Sequence, residues 1–201
     1  MNDPKTIFEP IAGYLLDVVA KLRNKEFVPH SLTKLQNLYV CKKTTNARTI
    51  VEIGSYKGVT TKRLSRFFEK VISIEIDDEL FKQAKTRCEA RQNVKLIKGD
   101  GKEKLKEISP DVEKAVLFLD GHYSGEGTGI GSEPEPVLLE LEVIKPFLNN
   151  YVAIVIDDFR LFGIEDGWPY KHEVLQYLEK NFLYPDWSIS ILNDQFIVKR
   201  R

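Results

Sequence analysis

The chain has too little cysteine for a disulfide framework or a thiolate metal centre: Cys41 and Cys88 are the only two among 201 residues. Reduced thiols, as kept in a cytosol, are the expectation. Net charge is missing too. Lys plus Arg and Asp plus Glu each total 30, which argues against a polyanionic partner and gives an expectation of no nucleic acid. No apolar run approaches the roughly 20 residues of a membrane span, and the N-terminus lacks a signal-peptide layout. A soluble cytoplasmic protein with no membrane partner is therefore expected. The dinucleotide fingerprint G-x-G-x-x-G is absent from the first strand–helix turn, which reads Gly54-x-x-x-Gly58. Repeats and low-complexity tracts are lacking, and the length suits one ordinary domain.

What is present alternates. Pro4 to Arg23 carries apolar residues at helical spacing, and Ser31 to Lys42 reads as a second helix with Ser31 as its N-cap. From residue 49 the pattern becomes strand then helix, five times over. The strands are Thr49–Ile53, Val71–Ile76, Val94–Ile97, Ala115–Asp120 and Val152–Asp157. The helices are Thr60–Glu69, Asp78–Arg91, Lys102–Ile108, Pro136–Leu148 and His172–Asn181. Such alternation implies right-handed crossovers and a parallel sheet covered on both faces. Two closing runs, Trp187–Leu192 and Gln195–Lys199, flank Asn193-Asp194 and predict a hairpin with no helix between. We divide the chain into an N-terminal helical cap, 1–48, and an α/β domain, 49–201.

Carboxylates mark the strand ends: Glu52, Glu75, Asp100, Asp120 and the pair Asp157-Asp158. In a parallel sheet these ends share one edge, where ligands bind. Clustered like charges cost stability unless a ligand compensates them. An acid in the Val51–Gly58 turn would repel a pyrophosphate and suit a cationic nucleoside. The alternative is a turn whose glycines only permit close packing.

Taken together, Glu52-Ile53-Gly54-x-x-x-Gly58, the acid closing the second strand, Gly99-Asp100-Gly101 and the terminal hairpin resemble class I S-adenosylmethionine-dependent methyltransferases, from about Thr49 to the C-terminus. The resemblance implies an α/β fold with a Rossmann-like, doubly wound seven-stranded sheet, mostly parallel with an antiparallel C-terminal hairpin strand. It assigns the methionine part of S-adenosyl-L-methionine to Glu52, Gly54, Ser55, Tyr56 and Gly58. Glu75 and Ile76 take the ribose side, Asp100 and Gly101 the adenine, and Asp120 completes the cofactor set. Glu75 has a competing use as a helix cap, and Asp100 as part of a Gly-Asp-Gly turn.

Two further motifs, Leu119 to Gly125 (LDGHYSG) and Ile156 to Phe159 (IDDF), resemble those of divalent-metal-dependent O-methyltransferases, the macrocin-type sugar enzymes above all. The resemblance implies Mg²⁺ held by Asp120, Asp157 and Asp158, with neither motif supplying a basic residue. A hydroxyl is too weakly acidic to ionise at neutral pH, and a chelating Mg²⁺ would lower its pKa. Asp120 and His122 are the expected catalytic residues, His122 as general base. Gly125 to Pro136 reads as a substrate lid or else a surface loop. His30 and His172 read as structural, and the N-terminal helices as a cover for the acceptor or a homodimer contact. The expected activity is O-methylation of a small hydroxylated molecule, a sugar or polyhydroxylated natural product. The alternatives are a metal-independent methyltransferase acting on another small acceptor and a non-catalytic cofactor-binding regulator. Amino-group methylation of nucleic acid is disfavoured, because strand four ends Leu-Asp-Gly-His rather than Asn/Asp-Pro-Pro-aromatic.

Overall fold

A computed structural model describes residues 8–121, 136–182 and 185–201. Two helices, α1 (Phe8–Leu22) and α2 (Ser31–Thr45), precede β1 (Thr49–Ile53), α3 (Val59–Leu64), β2 (Lys70–Glu75) and α4 (Asp78–Cys88). The chain continues through β3 (Val94–Lys98), α5 (Gly101–Ile108), β4 (Ala115–Leu119), α6 (Val137–Ile144) and β5 (Tyr151–Ile156). It closes with α7 (Lys171–Asn181), β6 (Trp187–Leu192) and β7 (Gln195–Arg200). The seven strands lie in the order β3-β2-β1-β4-β5-β7-β6. β1 to β5 pair in parallel, and β7 runs antiparallel to both β5 and β6.

Strand alternation builds two apolar layers. Ile50, Val71, Val116, Phe118 and Val155 face Leu38 and Cys41 of α2 and Leu64 of α3. Val51, Ile74, Leu117, Leu119 and Ile154 face Leu105 of α5, Leu141 of α6 and Leu178 of α7. Burial of each such side chain contributes about 1.5–3 kcal/mol. β1, β4 and β5 are central strands buried on both faces, which is why they read as near-continuous apolar runs, interrupted in β1 by Glu52. At the hairpin, Asn193 (φ 50°) and Asp194 (φ 64°) both take positive φ, as a two-residue turn with the twist of its strands requires.

Several boundaries differ from expectation for identifiable reasons. α3 stops at Leu64, where Asn93 Nδ2 donates to the carbonyls of Ser65 and Phe68 and turns the chain early. α6 ends at Ile144 and tightens into a 3-10 segment, Lys145–Asn150, because Pro146 has no N–H to continue the ladder. The N-cap of α2 is His30, not Ser31. Asp17 of α1 braces this end instead: it accepts from the His30 backbone (2.8 Å), from its Nδ1 (2.7 Å) and from Thr33 Oγ1. Burial opposes the Asp17 charge, but these bonds prevail and hold its pKa below the usual carboxylate value. His30 therefore has the structural role expected of it, tying α1 to α2. Ile11, Leu15, Leu16 and Leu22 on α1 remain exposed. No helix among the described residues is long and apolar enough to cross a membrane.

Candidate active site

The strand ends do form one edge. The Asp120 N–H donates to the Ile53 carbonyl (3.0 Å) and the Asp157 N–H to the Leu119 carbonyl (3.0 Å). The sheet ladder is thereby extended past its last residues, bringing β1, β4 and β5 to a common rim. Gly54 (φ +90°) lies so close to this rim that a side chain there would strike the Asp120 carbonyl oxygen. Gly58 (φ +73°) has the same need, since a Cβ would come within 2.8 Å of Ala84 Cα. Both glycines are thus required by geometry as well as by packing.

Glu52 is fully buried. Its Oε2 accepts from Thr61 Oγ1 (2.6 Å) and Ser73 Oγ (2.6 Å), whereas Oε1 has no hydrogen-bond partner. Burial pushes its pKa up to about 7 against the opposing pull of the two hydroxyls, with Glu75 nearby adding to the rise. Such an orphaned oxygen suits a ligand ammonium or an ordered water. The Ser55 hydroxyl turns inward to Ser73 (2.5 Å), so only the Ser55 backbone is left for a ligand.

Glu75 is positioned by backbone donors. Tyr56 N–H reaches Oε2 (2.7 Å) and Asp77 N–H reaches Oε1 (2.9 Å). The cap of α4 is Asp77, which accepts from Glu79 and Leu80 at 2.9 Å, so Glu75 is released from that competing use. Burial raises the Glu75 pKa and the backbone bonds moderate the rise. Tyr56 adopts a positive φ of 47° to make this bond. Next along, Lys98 Nζ donates to the Ile76 carbonyl (2.6 Å). Asp100 caps α5 through Oδ1, accepting from Glu103 N–H at 3.2 Å. Gly101 sits against Ile53 and against Glu140 of α6, a buried acid that no sequence motif singles out. An orphan carboxylate oxygen, a backbone-oriented carboxylate and two side-chain-free approaches fit a nucleoside bearing a cationic amino-acid tail.

Asp120, Asp157 and Asp158 converge as expected, with carboxylate oxygens within 4.8 Å of one another. The expected ion does not fit them. Lys34, from α2, places its ammonium 2.9 Å from Asp157 Oδ1, 2.5 Å from Asp158 Oδ1 and 3.5 Å from Asp194 Oδ2. Arg160 Nη1 adds a bond to Asp158 Oδ1 (2.6 Å) and another to Asp194. A divalent ion would have to displace an ammonium that already compensates two of its three ligands. Burial disfavours the Lys34 charge, yet Asp157 and Asp158 outweigh it and hold the ammonium well above an ordinary lysine pKa. Asp120 is raised well above the carboxylate range by burial and then by Asp157 and Asp158, with Lys34 offsetting part. Asp157 is raised by burial, partly relieved by Lys34.

The surrounding network was not legible locally. Gln195 Nε2 donates to Asp157 (3.1 Å), and Asn37 Nδ2 donates to Gln195 Oε1 (2.7 Å). α2 is thereby coupled to the hairpin turn and the end of β5. Asp158 holds φ at 54°, a left-handed geometry that turns the acid pair back toward Lys34. His122 and all of the Gly125–Pro136 loop but Pro136, the N-cap of α6, lie outside the described residues.

Known proteins resemble this chain in part of its sequence and in its fold. Residues 22–106 match the model of the ribosomal RNA adenine dimethylase family. A probable ribosomal RNA small subunit methyltransferase A from Methanosarcina mazei is 38% identical over 80 residues, covering 40% of this chain and 28% of that protein. The corresponding protein of Moorella thermoacetica is 37% identical over 79 residues, covering 39% and 25%. The chain thus spans about a quarter of the length of these curated relatives. Among solved structures, one assigned as an rRNA methylase from Clostridium thermocellum has a TM-score of 0.62 at 18% identity, covering 83% of this chain and 97% of that one. A Bacillus cereus O-methyltransferase in complex with SAH has a TM-score of 0.60 at 17% identity, covering 98% and 95%. The fold is that of the class I methyltransferases.

These relatives overturn two expectations, a small hydroxylated acceptor and the absence of a nucleic-acid partner: the similar sequences are rRNA methyltransferases. The first error has a physical source in the acid triad, which reads as a Mg²⁺ site for hydroxyl activation until Lys34 is seen in it. The second came from net charge, which averages over the whole surface. The matched stretch holds the residues assigned to the cofactor from Glu52 to Gly101, whereas Asp120, Asp157 and Asp158 lie beyond it.

Proposed function

We propose that this chain is an S-adenosylmethionine-dependent methyltransferase whose acceptor is RNA. The observation that carries the reading is a coincidence of place. The segment similar to rRNA adenine dimethylases is the segment that builds the Glu52–Gly58 turn and orients Glu75. In this reading Glu75 accepts hydrogen bonds from the ribose hydroxyls, the Glu52 orphan oxygen answers the ammonium directly or through water, and Asp100 with Gly101 borders the adenine. Bound S-adenosylmethionine supplies an activated methyl group, so the protein's task is alignment of the attacking atom.

Asp120 stands at the rim between the cofactor turn and the Lys34 network. Its raised pKa suits an acid that shares a proton with an acceptor group instead of standing as a bare charge. His122, two residues on, is the proposed base. Lys34 holds Asp157 and Asp158 in place and compensates their charge, which leaves metal-assisted activation outside this mechanism. The test is transfer of a radiolabelled methyl group from S-adenosylmethionine to ribosomal RNA. Label that becomes acid-soluble after ribonuclease treatment is expected. Label found only on small-molecule acceptors, or none in RNA under conditions where the cofactor binds, would refute the RNA assignment.

A further inference from the structure

A net charge of zero conceals an uneven chain. Between Phe27 and Phe68 stand eight lysines and arginines against one carboxylate, Glu52. That carboxylate is buried in the sheet, and Lys34 turns inward to Asp157 and Asp158. Arg48 pairs with Glu69 (2.5 Å). The remaining cations, Lys42, Lys43, Lys57, Lys62, Arg63 and Arg66, form no ion pair among the described residues.

The fold gathers these residues into one layer. α2 and α3 cover the same side of the sheet, packing with Leu38 and Leu64 into one apolar cluster. They are stitched together on the outside by Arg63 Nη1 donating to Ser31 Oγ (3.1 Å) and by Tyr39 against Phe67, ring centroids 5.5 Å apart. Tyr39 and Phe67 are 41% and 39% exposed, unusual for rings that a core could have used. Lys43 Nζ lies 5.6 Å from the Tyr39 ring centre. At the upper end Tyr56 is 47% exposed, with Lys57 Nζ 5.1 Å from its ring centre. The Tyr56 N–H is bonded to Glu75, so the layer runs up to the proposed cofactor site.

Cations outnumber acids here, although Glu69, beside Arg48 and Lys42, is an exposed carboxylate. Such cations, interleaved with exposed rings, have the chemistry of a single-stranded nucleic-acid surface: phosphates meet ammonium and guanidinium groups while bases stack on the rings. We infer that the outer face of α2 and α3 is the track on which unpaired RNA lies as it approaches the cofactor turn. The inference rests on the RNA-acceptor reading and adds to it a place on the molecule. Bases stack on exposed rings with little regard to sequence, so Tyr39 and Phe67 contribute alongside the phosphates.

The experiment is fluorescence anisotropy with a labelled single-stranded RNA oligonucleotide, repeated across a salt series. The triple variant Lys42→Gln/Lys43→Gln/Arg66→Gln should bind on the order of 10- to 100-fold more weakly at low salt. Its log–log salt slope should fall by about 2, at roughly 0.7 for each phosphate no longer neutralised. Tyr39→Ala/Phe67→Ala should weaken binding with the slope unchanged. Unaltered S-adenosylhomocysteine affinity in both variants establishes that they are folded. An unchanged RNA affinity and slope in the triple variant overturns the track, as does heparin binding as tight as RNA with no effect of the ring substitutions. If the wild type methylates RNA while the triple variant binds it normally, only the track falls. A wild type that neither binds nor methylates RNA removes the RNA reading itself.

Discussion

Replacing Glu52 by glutamine tests the buried acid at the cofactor turn before any ligand is added. Glutamine preserves the shape, and its carbonyl oxygen can accept from Thr61 and Ser73 as Oε2 does now. The variant cannot ionise. In the folded protein the Glu52 carboxyl is pushed from 4.5 up to about 7, chiefly by burial. Between these values the native state holds a proton that the unfolded chain has released, so stability falls as pH rises through this window and stays lower above it. At about 1.4 kcal/mol per pH unit, the full loss is roughly 3 kcal/mol. A chain of this size shifts its Tm by about 2–4 °C per kcal/mol. Glu52→Gln should therefore gain roughly 6–12 °C on the wild type between pH 4.5 and pH 8, followed by scanning calorimetry without cofactor. The glutamine NH₂ in the orphan position can impose a constant cost of about 1–3 kcal/mol, which moves both ends of the curve equally. Two parallel Tm–pH curves would refute the argument that Glu52 is a buried, uncompensated acid.

Lys34→Met should uncover the acid triad. Breaking a buried pair of this kind costs about 3–5 kcal/mol, and the variant should acquire Mn²⁺ binding, visible by electron paramagnetic resonance, that the wild type lacks. Equal Mn²⁺ affinity in both proteins would contradict the claim that Lys34 takes the cation's place. Gly54→Ala, with its side chain driven toward the Asp120 carbonyl and a positive φ, should lose at least about 1–3 kcal/mol of stability and most of its cofactor affinity. A variant with native Tm and affinity would show the approach to be looser than described. His122→Ala should depress methyl transfer by roughly 10²–10⁴-fold with cofactor affinity retained; an unaltered pH–rate profile would remove it as the base.

The sheet was legible because its signal is local. Thr49–Ile53, β-branched and apolar except for Glu52, and the apolar run from Val152 announce strands buried on both faces, and Asn193-Asp194 announces the hairpin. The convergence of Asp120, Asp157 and Asp158 followed from the strand order that the family resemblance implied. What neutralises them did not. Lys34 is more than 80 residues from Asp120 along the chain, on a helix whose sequence looks like any solvated lysine-bearing helix. Asp194 had a sufficient local explanation as a turn residue, which hid its bonds to Lys34 and Arg160. The basic layer was hidden differently. A zero sum over 201 residues says nothing of where the charges lie, although a windowed count would have exposed the acid-poor stretch from Phe27 to Phe68.

The most direct test of the methyl-donor site is calorimetric titration of S-adenosylhomocysteine into the wild type and into Glu75→Ala. The Glu75 carboxylate is held by Tyr56 and Asp77 and has no part in the α4 cap, which Asp77 supplies. Loss of two charge-assisted hydrogen bonds to the ligand, each about 1.5–3 kcal/mol, predicts one-to-one binding in the wild type that weakens by at least about 100-fold in the variant. The Tyr56 and Asp77 N–H groups also lose their acceptor, so the ligand-free Tm falls and the titration is made well below it. Equal affinity in the two proteins, or no binding to the wild type, would contradict the assignment of this sheet edge as a methyl-donor site.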